Sequence, residues 1–187
     1  MKHTLNVLTL TALAAAASAQ TAPASGLNYN QLSFSRASRQ NTVGVQLALG
    51  ESNLVAGFAT TDSNVGSYNY SQVSVGYVFK GVTQGIDATV GVIQTNGDAS
   101  LYTVELRRQL NEVYQGLEIA AGYAGTLSAG QTADFSFGGY AADSSESSSY
   151  VGLVYNINKT FAVGVSLNKP SNSSYDRATV FSVRAGF

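Results

Sequence analysis

The stretch RATVFSVRAGF, residues 177–187, decides the fold class of this chain. Side chains of an extended chain alternate between two faces. One face of this stretch is mainly apolar and carries Thr179, Phe181, Val183, Ala185 and Phe187. The other face carries small or aliphatic residues and one cation, Arg184. The stretch therefore predicts a β-strand that is apolar on one side, small or polar on the other, and closed by an aromatic ring.

The same two-residue period recurs through most of the chain, in segments separated by Gly, Asn, Asp and Ser. Residues 41–49, 73–79 and 161–168 are clear examples, and the weakest segment is the first, around Leu27 to Ser35. About ten segments result, each near the 9–11 residues that a tilted membrane strand needs. The sequence therefore predicts an all-β fold, an antiparallel transmembrane β-barrel of about ten strands, with eight or twelve as alternatives.

Composition separates a membrane barrel from a soluble β-sandwich, which also alternates. The chain has 19 Gly, 11 Tyr and two Pro, and only 11% of its residues are charged. A soluble surface normally carries about 25–35% charged residues. The faces opposite the apolar ones are mostly Gly, Ala, Ser and Thr, which suit a narrow interior better than open water. The sequence favours the membrane barrel, and the secreted soluble β-sandwich binding module stays as an alternative.

The amino terminus has the layout of a secretory signal peptide. Lys2 and His3 precede an apolar stretch from Leu5 to Ala17, and small residues follow up to Ala19. The apolar stretch is shorter than the roughly 20 residues that span a bilayer as a helix. We therefore expect residues 1–19 to be a cleaved signal peptide, residues 20–26 a periplasmic leader, and residues 27–187 the barrel.

The closing strand and the alternation before it resemble those of small bacterial outer-membrane β-barrels of the OmpA and OmpX type. The resemblance covers most of residues 27–187. It implies a place in the bacterial outer membrane, with membrane lipids and lipopolysaccharide as partners. It also implies that Phe181, Val183 and Phe187 belong to the signal that the barrel-assembly machinery reads.

Such barrels have short periplasmic turns and longer outer loops. Since the last strand would end on the periplasmic side, short turns are expected near residues 50–53, 80–85, 111–115 and 156–160. The segment 125–149 does not fit this scheme neatly. We interpret it as a long outer loop or an extra hairpin.

Several function classes lack the residues that they need. The single histidine, His3, lies in the predicted signal peptide, and the chain has no Cys. General-base catalysis and a His or Cys metal site are therefore not expected, and no cofactor is predicted. With a net charge of −1 the chain shows no basic stripe for nucleic acid.

The strand faces place five ionisable residues inside the predicted barrel, and these are Asp87, Glu105, Arg107, Glu118 and Arg184. Isolated charges in a narrow lumen are costly, so these groups should pair or hydrate. One interpretation is a salt-bridge network that packs the barrel shut, as in small barrels. The alternative is a narrow polar channel for small solutes. The first is favoured, so the sequence predicts a structural or surface-interaction role without enzymatic activity.

Overall fold

A computed structural model describes residues 26–37, 40–63, 69–96, 100–128, 147–170 and 177–187. The described residues form ten β-strands: β1 (Gln31–Arg36), β2 (Gln40–Ala48), β3 (Leu54–Ser63), β4 (Asn69–Thr83), β5 (Ile86–Thr95), β6 (Ser100–Gln109), β7 (Leu117–Ser128), β8 (Ser148–Asn156), β9 (Phe161–Pro170) and β10 (Ala178–Gly186). None of the described residues forms a helix long and apolar enough to cross a membrane.

The ten strands close into one barrel. Each strand pairs antiparallel with its neighbour in sequence, and β1 completes the ring by pairing with β10, with Ser33 opposite Arg184. The ring leaves no strand edge unpaired, which is the arrangement that a lipid environment requires. The prediction of an all-β antiparallel barrel with about ten strands is therefore confirmed, and the β-sandwich alternative is wrong as a fold.

The barrel is apolar outside and polar inside. On β4 the outward-facing Val73 and Val75 are 53% and 52% exposed. The inward-facing Asp87 and Arg107 are only 1% and 2% exposed. Large exposed apolar surfaces are rare on soluble monomers, whereas a lipid-facing band with an alternating polar interior is the pattern of transmembrane barrels.

Four short turns lie at one end of the barrel, which we call the turn end. They connect β2 to β3, β4 to β5, β6 to β7 and β8 to β9. Three of them place a glycine in the left-handed region, Gly50 with φ of 62°, Gly85 with φ of 73° and Gly116 with φ of 84°, a conformation that L-residues with a side chain rarely adopt. Three of the turns coincide with those expected from the sequence, and the β4–β5 turn is shorter than the expected 80–85 because β4 continues to Thr83.

Several predicted segments lie wholly or mainly outside the described residues. The signal peptide 1–19 and the leader up to residue 25 are among them. At the opposite end of the barrel, β7 continues to Ser128 and β8 begins at Ser148. Most of the predicted 125–149 loop or hairpin therefore also falls outside the description.

Outward-facing aromatic rings gather towards both ends of the strands. Tyr77 and Phe79 pair edge to face near the turn end, with ring centroids 4.8 Å apart. Towards the opposite end, Tyr102 lies 5.9 Å from Tyr123. Two aromatic girdles flanking an apolar band are typical of outer-membrane barrels.

The chain before β1 differs from the sequence-based expectation of a strand starting near Leu27. The strand begins at Gln31, and residues 26–30 turn into the lumen as a segment that we call the plug. Its Leu27 and Tyr29 are each 1% exposed and pack against Val55 and Val78. The physical reason is space, because the neighbouring inward side chains of β2, β3 and β4 are too small to fill a ten-stranded barrel on their own.

Candidate functional site in the barrel lumen

All five charged residues expected in the lumen lie on inward strand faces. Asp87 is on β5, Glu105 and Arg107 are on β6, Glu118 is on β7 and Arg184 is on β10. The structure brings three of them into direct contact and places the other two beside that group, with tyrosines as their hydrogen-bond donors.

Arg107, Glu118 and Arg184 form a buried cluster that we call the ion triad. Arg107 Nε and Nη2 donate to the two carboxylate oxygens of Glu118, at 2.9 and 3.2 Å. Arg184 Nη1 donates to Glu118 Oε1 at 3.4 Å. These side chains are 2–6% exposed. Forked arginine–carboxylate pairs of this kind are short and directional, so the triad fixes side chains from two adjacent strands and one distant strand.

Tyr29 of the plug sits between Asp87 and Arg107. Its hydroxyl donates to Asp87 Oδ2 at 2.9 Å, and its ring centroid lies 4.9 Å from the guanidinium carbon of Arg107. A cation over an aromatic face is attracted by the ring quadrupole, more strongly where water is excluded. Asp87 Oδ1 also accepts from the Gly81 amide at 2.9 Å. The plug therefore contacts both an acidic and a basic residue of the lumen.

The remaining plug contacts fix its backbone. Arg107 Nη1 donates to the Asn28 carbonyl at 3.4 Å, and Gln109 Nε2 donates to the Gly26 carbonyl at 2.7 Å. Asn30 is anchored to the barrel wall, because the amide of Ala48 donates to its Oδ1 at 2.7 Å. The plug is therefore held along its length by wall side chains and at its end by a wall amide.

Glu105 has a different partner from the triad. Its carboxylate accepts a hydrogen bond from the hydroxyl of Tyr150 on β8. The Tyr150 ring lies across Gly122 so closely that a Cβ there would clash with the ring. Gly122 is needed here because any side chain would occupy the place of the ring that holds Glu105.

The ion triad and the plug cover different sectors of the lumen. The triad belongs to β6, β7 and β10, which lie on one side of the ring. The plug packs against the other side, where Ala48, Val55, Val78 and Asp87 are contributed by β2, β3, β4 and β5. Together the two groups form a partition across the barrel near its turn end.

Open space lies on both sides of this partition. A recess of about 1270 Å³ opens at the turn end and is lined by plug and triad residues including Leu27, Arg107 and Glu118. A cavity of about 70 Å³ lies deeper, against β2 to β6, and is lined by polar residues including Gln72, Glu105 and Tyr150 and by apolar residues including Phe58 and Ile93. Gln31 lines both spaces, so the partition is thin at this point.

Many inward glycines do not leave free space. Ser182 Oγ lies 2.6 Å from the position of a Cβ on Gly164, and Ser74 Oγ lies 2.5 Å from that of a Cβ on Gly57. These glycines allow neighbouring side chains to pack close to the wall. The lumen is consequently narrower than the number of glycines suggests.

The residues proposed as an assembly signal lie on the outer side of the closing strand. Phe181 and Val183 on β10 are 64% and 49% exposed, and Phe187 just after it is 38% exposed. Within the described residues, no group of three or more His, Cys, Asp or Glu could hold a metal ion.

Two functional residues were not assigned from sequence. Tyr29 falls in the weak first segment of the sequence pattern, and its spacing from Leu27 is the same in a strand as in the plug. Tyr150 follows the predicted 125–149 loop directly, and its two-residue spacing from Gly152 and Val154 is the signal for an inward position.

Comparisons with known proteins agree with the fold. A solved structure described as a KdgM porin is similar, with a TM-score of 0.51 and 11% identity, over 84% of this chain and 98% of that chain. The structure of OccAB3 from Acinetobacter baumannii gives a TM-score of 0.39 and 14% identity, over 79% of this chain and 48% of that chain. No family model matches the sequence, and the curated proteins contain no significant match. At 11% and 14% identity, these comparisons show similarity of fold alone.

Proposed function

We propose that this protein is a bacterial outer-membrane β-barrel whose lumen is closed near the turn end, with a structural or surface-interaction role and no catalytic activity. The observation that carries the proposal is the partition. The ion triad covers one sector of the lumen, and the plug, led by Tyr29 and Leu27, covers the other. A resting pore of useful width does not fit such an interior.

The membrane location is supported by the outer surface. The outward-facing side chains of every strand are mainly apolar, and about half of the surface of Val75, Val92 and Leu167 is exposed. The five charged side chains inside pair with each other or accept hydrogen bonds from tyrosine hydroxyls, and the other described charged residues lie in turns or towards strand ends. The predicted signal peptide and the proposed assembly signal at Phe181, Val183 and Phe187 belong to the same proposal, as do lipid and lipopolysaccharide contacts.

A second candidate function, a narrow polar channel, is favoured by two observations. Spaces whose lining includes polar groups lie on both sides of a thin partition. The similar fold of the KdgM porin adds to this, because that protein is described as a porin.

Two measurements test the proposal. Heat-dependent gel mobility of detergent-extracted protein is expected, since closed barrels keep their compact form until heated. Wild-type protein in planar bilayers is expected to give no current steps. Stable steps of wild type at low voltage would refute the closed lumen and favour the channel, and a protein that stayed soluble in buffer after export would refute the membrane location.

A further inference from the structure

The plug is attached differently from the wall that it blocks. The barrel strands are held by continuous ladders, whereas the plug is held by side-chain contacts at Tyr29 and Leu27 and by single hydrogen bonds to its carbonyls. Asn30 is tied to the wall twice, through Ala48 N at 2.7 Å and Phe187 N at 3.2 Å. Residues 26–29 can therefore leave the lumen by pivoting at Asn30 without breaking a strand pair.

Departure of the plug would clear one sector of the lumen. The wall behind it, on β2 to β5, carries few large inward side chains. Gly44, Gly57, Gly76 and Gly91 line the 70 Å³ cavity on this side. The ion triad would stay in place on the opposite side, because its three members belong to the wall strands β6, β7 and β10. The recess at the turn end would then continue into the cavity along the β2–β5 side.

The charges are distributed unevenly along this route. Asp87 would lose the Tyr29 hydroxyl, and Arg107 would lose the Tyr29 ring. Among the described charged residues, Arg107, Arg184, Lys159 and Glu118 line the wide recess, whereas Glu105 alone lines the narrow cavity. Carboxylates that line a narrow pore favour cations, and Glu105 lies on the cavity side of the partition.

We propose that the barrel is a gated pore with a preference for small cations, and that residues 26–29 are its gate. The inference rests on the closed lumen proposed above and extends it, because the closed form is then one of two states. The gate contact is Tyr29, which joins the plug to Asp87 and Arg107.

The test is planar-bilayer recording with full-length protein in a KCl gradient, comparing wild type with Tyr29→Ala. Wild type is expected to be silent. Tyr29→Ala is expected to show current steps, with a reversal potential shifted towards that of K⁺. The matched control is Leu32→Ala on the outward face of β1, which removes apolar bulk three residues away and is expected to stay silent. Adding Glu105→Gln to Tyr29→Ala should reduce the K⁺ preference while leaving the steps.

Each outcome decides the proposal. If Tyr29→Ala keeps heat-dependent gel mobility but stays silent, the plug is not the gate. If it conducts with an anion preference, the assigned selectivity is wrong. If Tyr29→Ala does not fold, the test uses Tyr29→Phe, because this variant keeps the ring and loses only the hydrogen bond to Asp87. Brief steps of that variant support the gate, and silence overturns it. Stable steps of wild type would instead overturn the closed lumen itself.

Discussion

The ion triad gives the sharpest test of how the barrel is stabilised, through the substitution Glu118→Gln. Glu118 is the one carboxylate in contact with both Arg107 and Arg184 among the described salt bridges. The substitution keeps the shape of the side chain and removes its charge. Both guanidinium groups then remain in the lumen with their shared counter-charge gone.

The magnitude follows from burial. The three side chains are only 2–6% exposed, so water provides little screening of the two cations. Removing one partner of a buried ion pair destabilises a protein by about 3–5 kcal/mol. We expect Glu118→Gln to lower the free energy of unfolding by about that amount. The measurement is urea titration of the folded barrel in detergent, followed by far-UV circular dichroism because the chain has no Trp.

The matched control is Glu51→Gln, the same change at an exposed turn position. Surface substitutions of this kind usually stay within about 0.5 kcal/mol of wild type. If Glu118→Gln lost less than about 1 kcal/mol, the lumen would be well hydrated and the triad would not hold the barrel shut. A double replacement, Arg107→Met with Glu118→Leu, should recover part of the loss because it leaves fewer unpaired charges.

Three further predictions concern the wall and the closing strand. Val75→Arg, at an outward position that is 52% exposed, should lower the free energy of unfolding in lipid bilayers by about 2–4 kcal/mol. The control is Val113→Arg in the β6–β7 turn. An unchanged free energy of unfolding for Val75→Arg would refute a lipid-facing surface. Gly122→Ala should lower the free energy of unfolding by about 1–3 kcal/mol through overpacking, because its Cβ would clash with the Tyr150 ring. The control Gly44→Ala, whose nearest contact is a serine hydroxyl at 3.1 Å, should cost less, and equal losses would contradict the Tyr150 packing. Phe187→Ala should reduce the amount of barrel in outer-membrane fractions of cells, while the purified variant still refolds into detergent. The control is Phe161→Ala. Normal membrane insertion of Phe187→Ala would refute the role of Phe187 in the assembly signal.

The barrel wall could be predicted from sequence because its physics is local. A strand with lipid on one side and a narrow lumen on the other must alternate, so the positions of Val75, Val78 and Asp87 follow from a period of two residues. The same rule placed Glu118 and Arg184 inside. The even count and the short turns then followed from antiparallel closure.

The lumen contacts could not be predicted in the same way, because they depend on strand order around the ring. Tyr29 and Asp87 are 58 residues apart in sequence, and Tyr150 and Glu105 are 45 apart. Whether they meet depends on the register of several intervening strand pairs. For Leu27 and Tyr29 the local signal is ambiguous as well, since alternating side chains fit both a strand and an extended plug.

The two sides of the lumen explain why a plug exists at all. Long inward side chains come mainly from β6 to β10, where Arg107, Glu118 and Arg184 meet and Tyr150 covers Gly122. On the opposite side the inward residues beside the plug are the short Ala48, Val55 and Val78, and a barrel of ten strands is too wide for such side chains to close by themselves. A void there would forfeit packing contacts, and the chain fills it with Leu27 and Tyr29. Because Leu27 and Tyr29 belong to the segment before β1 and not to a wall strand, this segment could leave the lumen while the barrel stays intact.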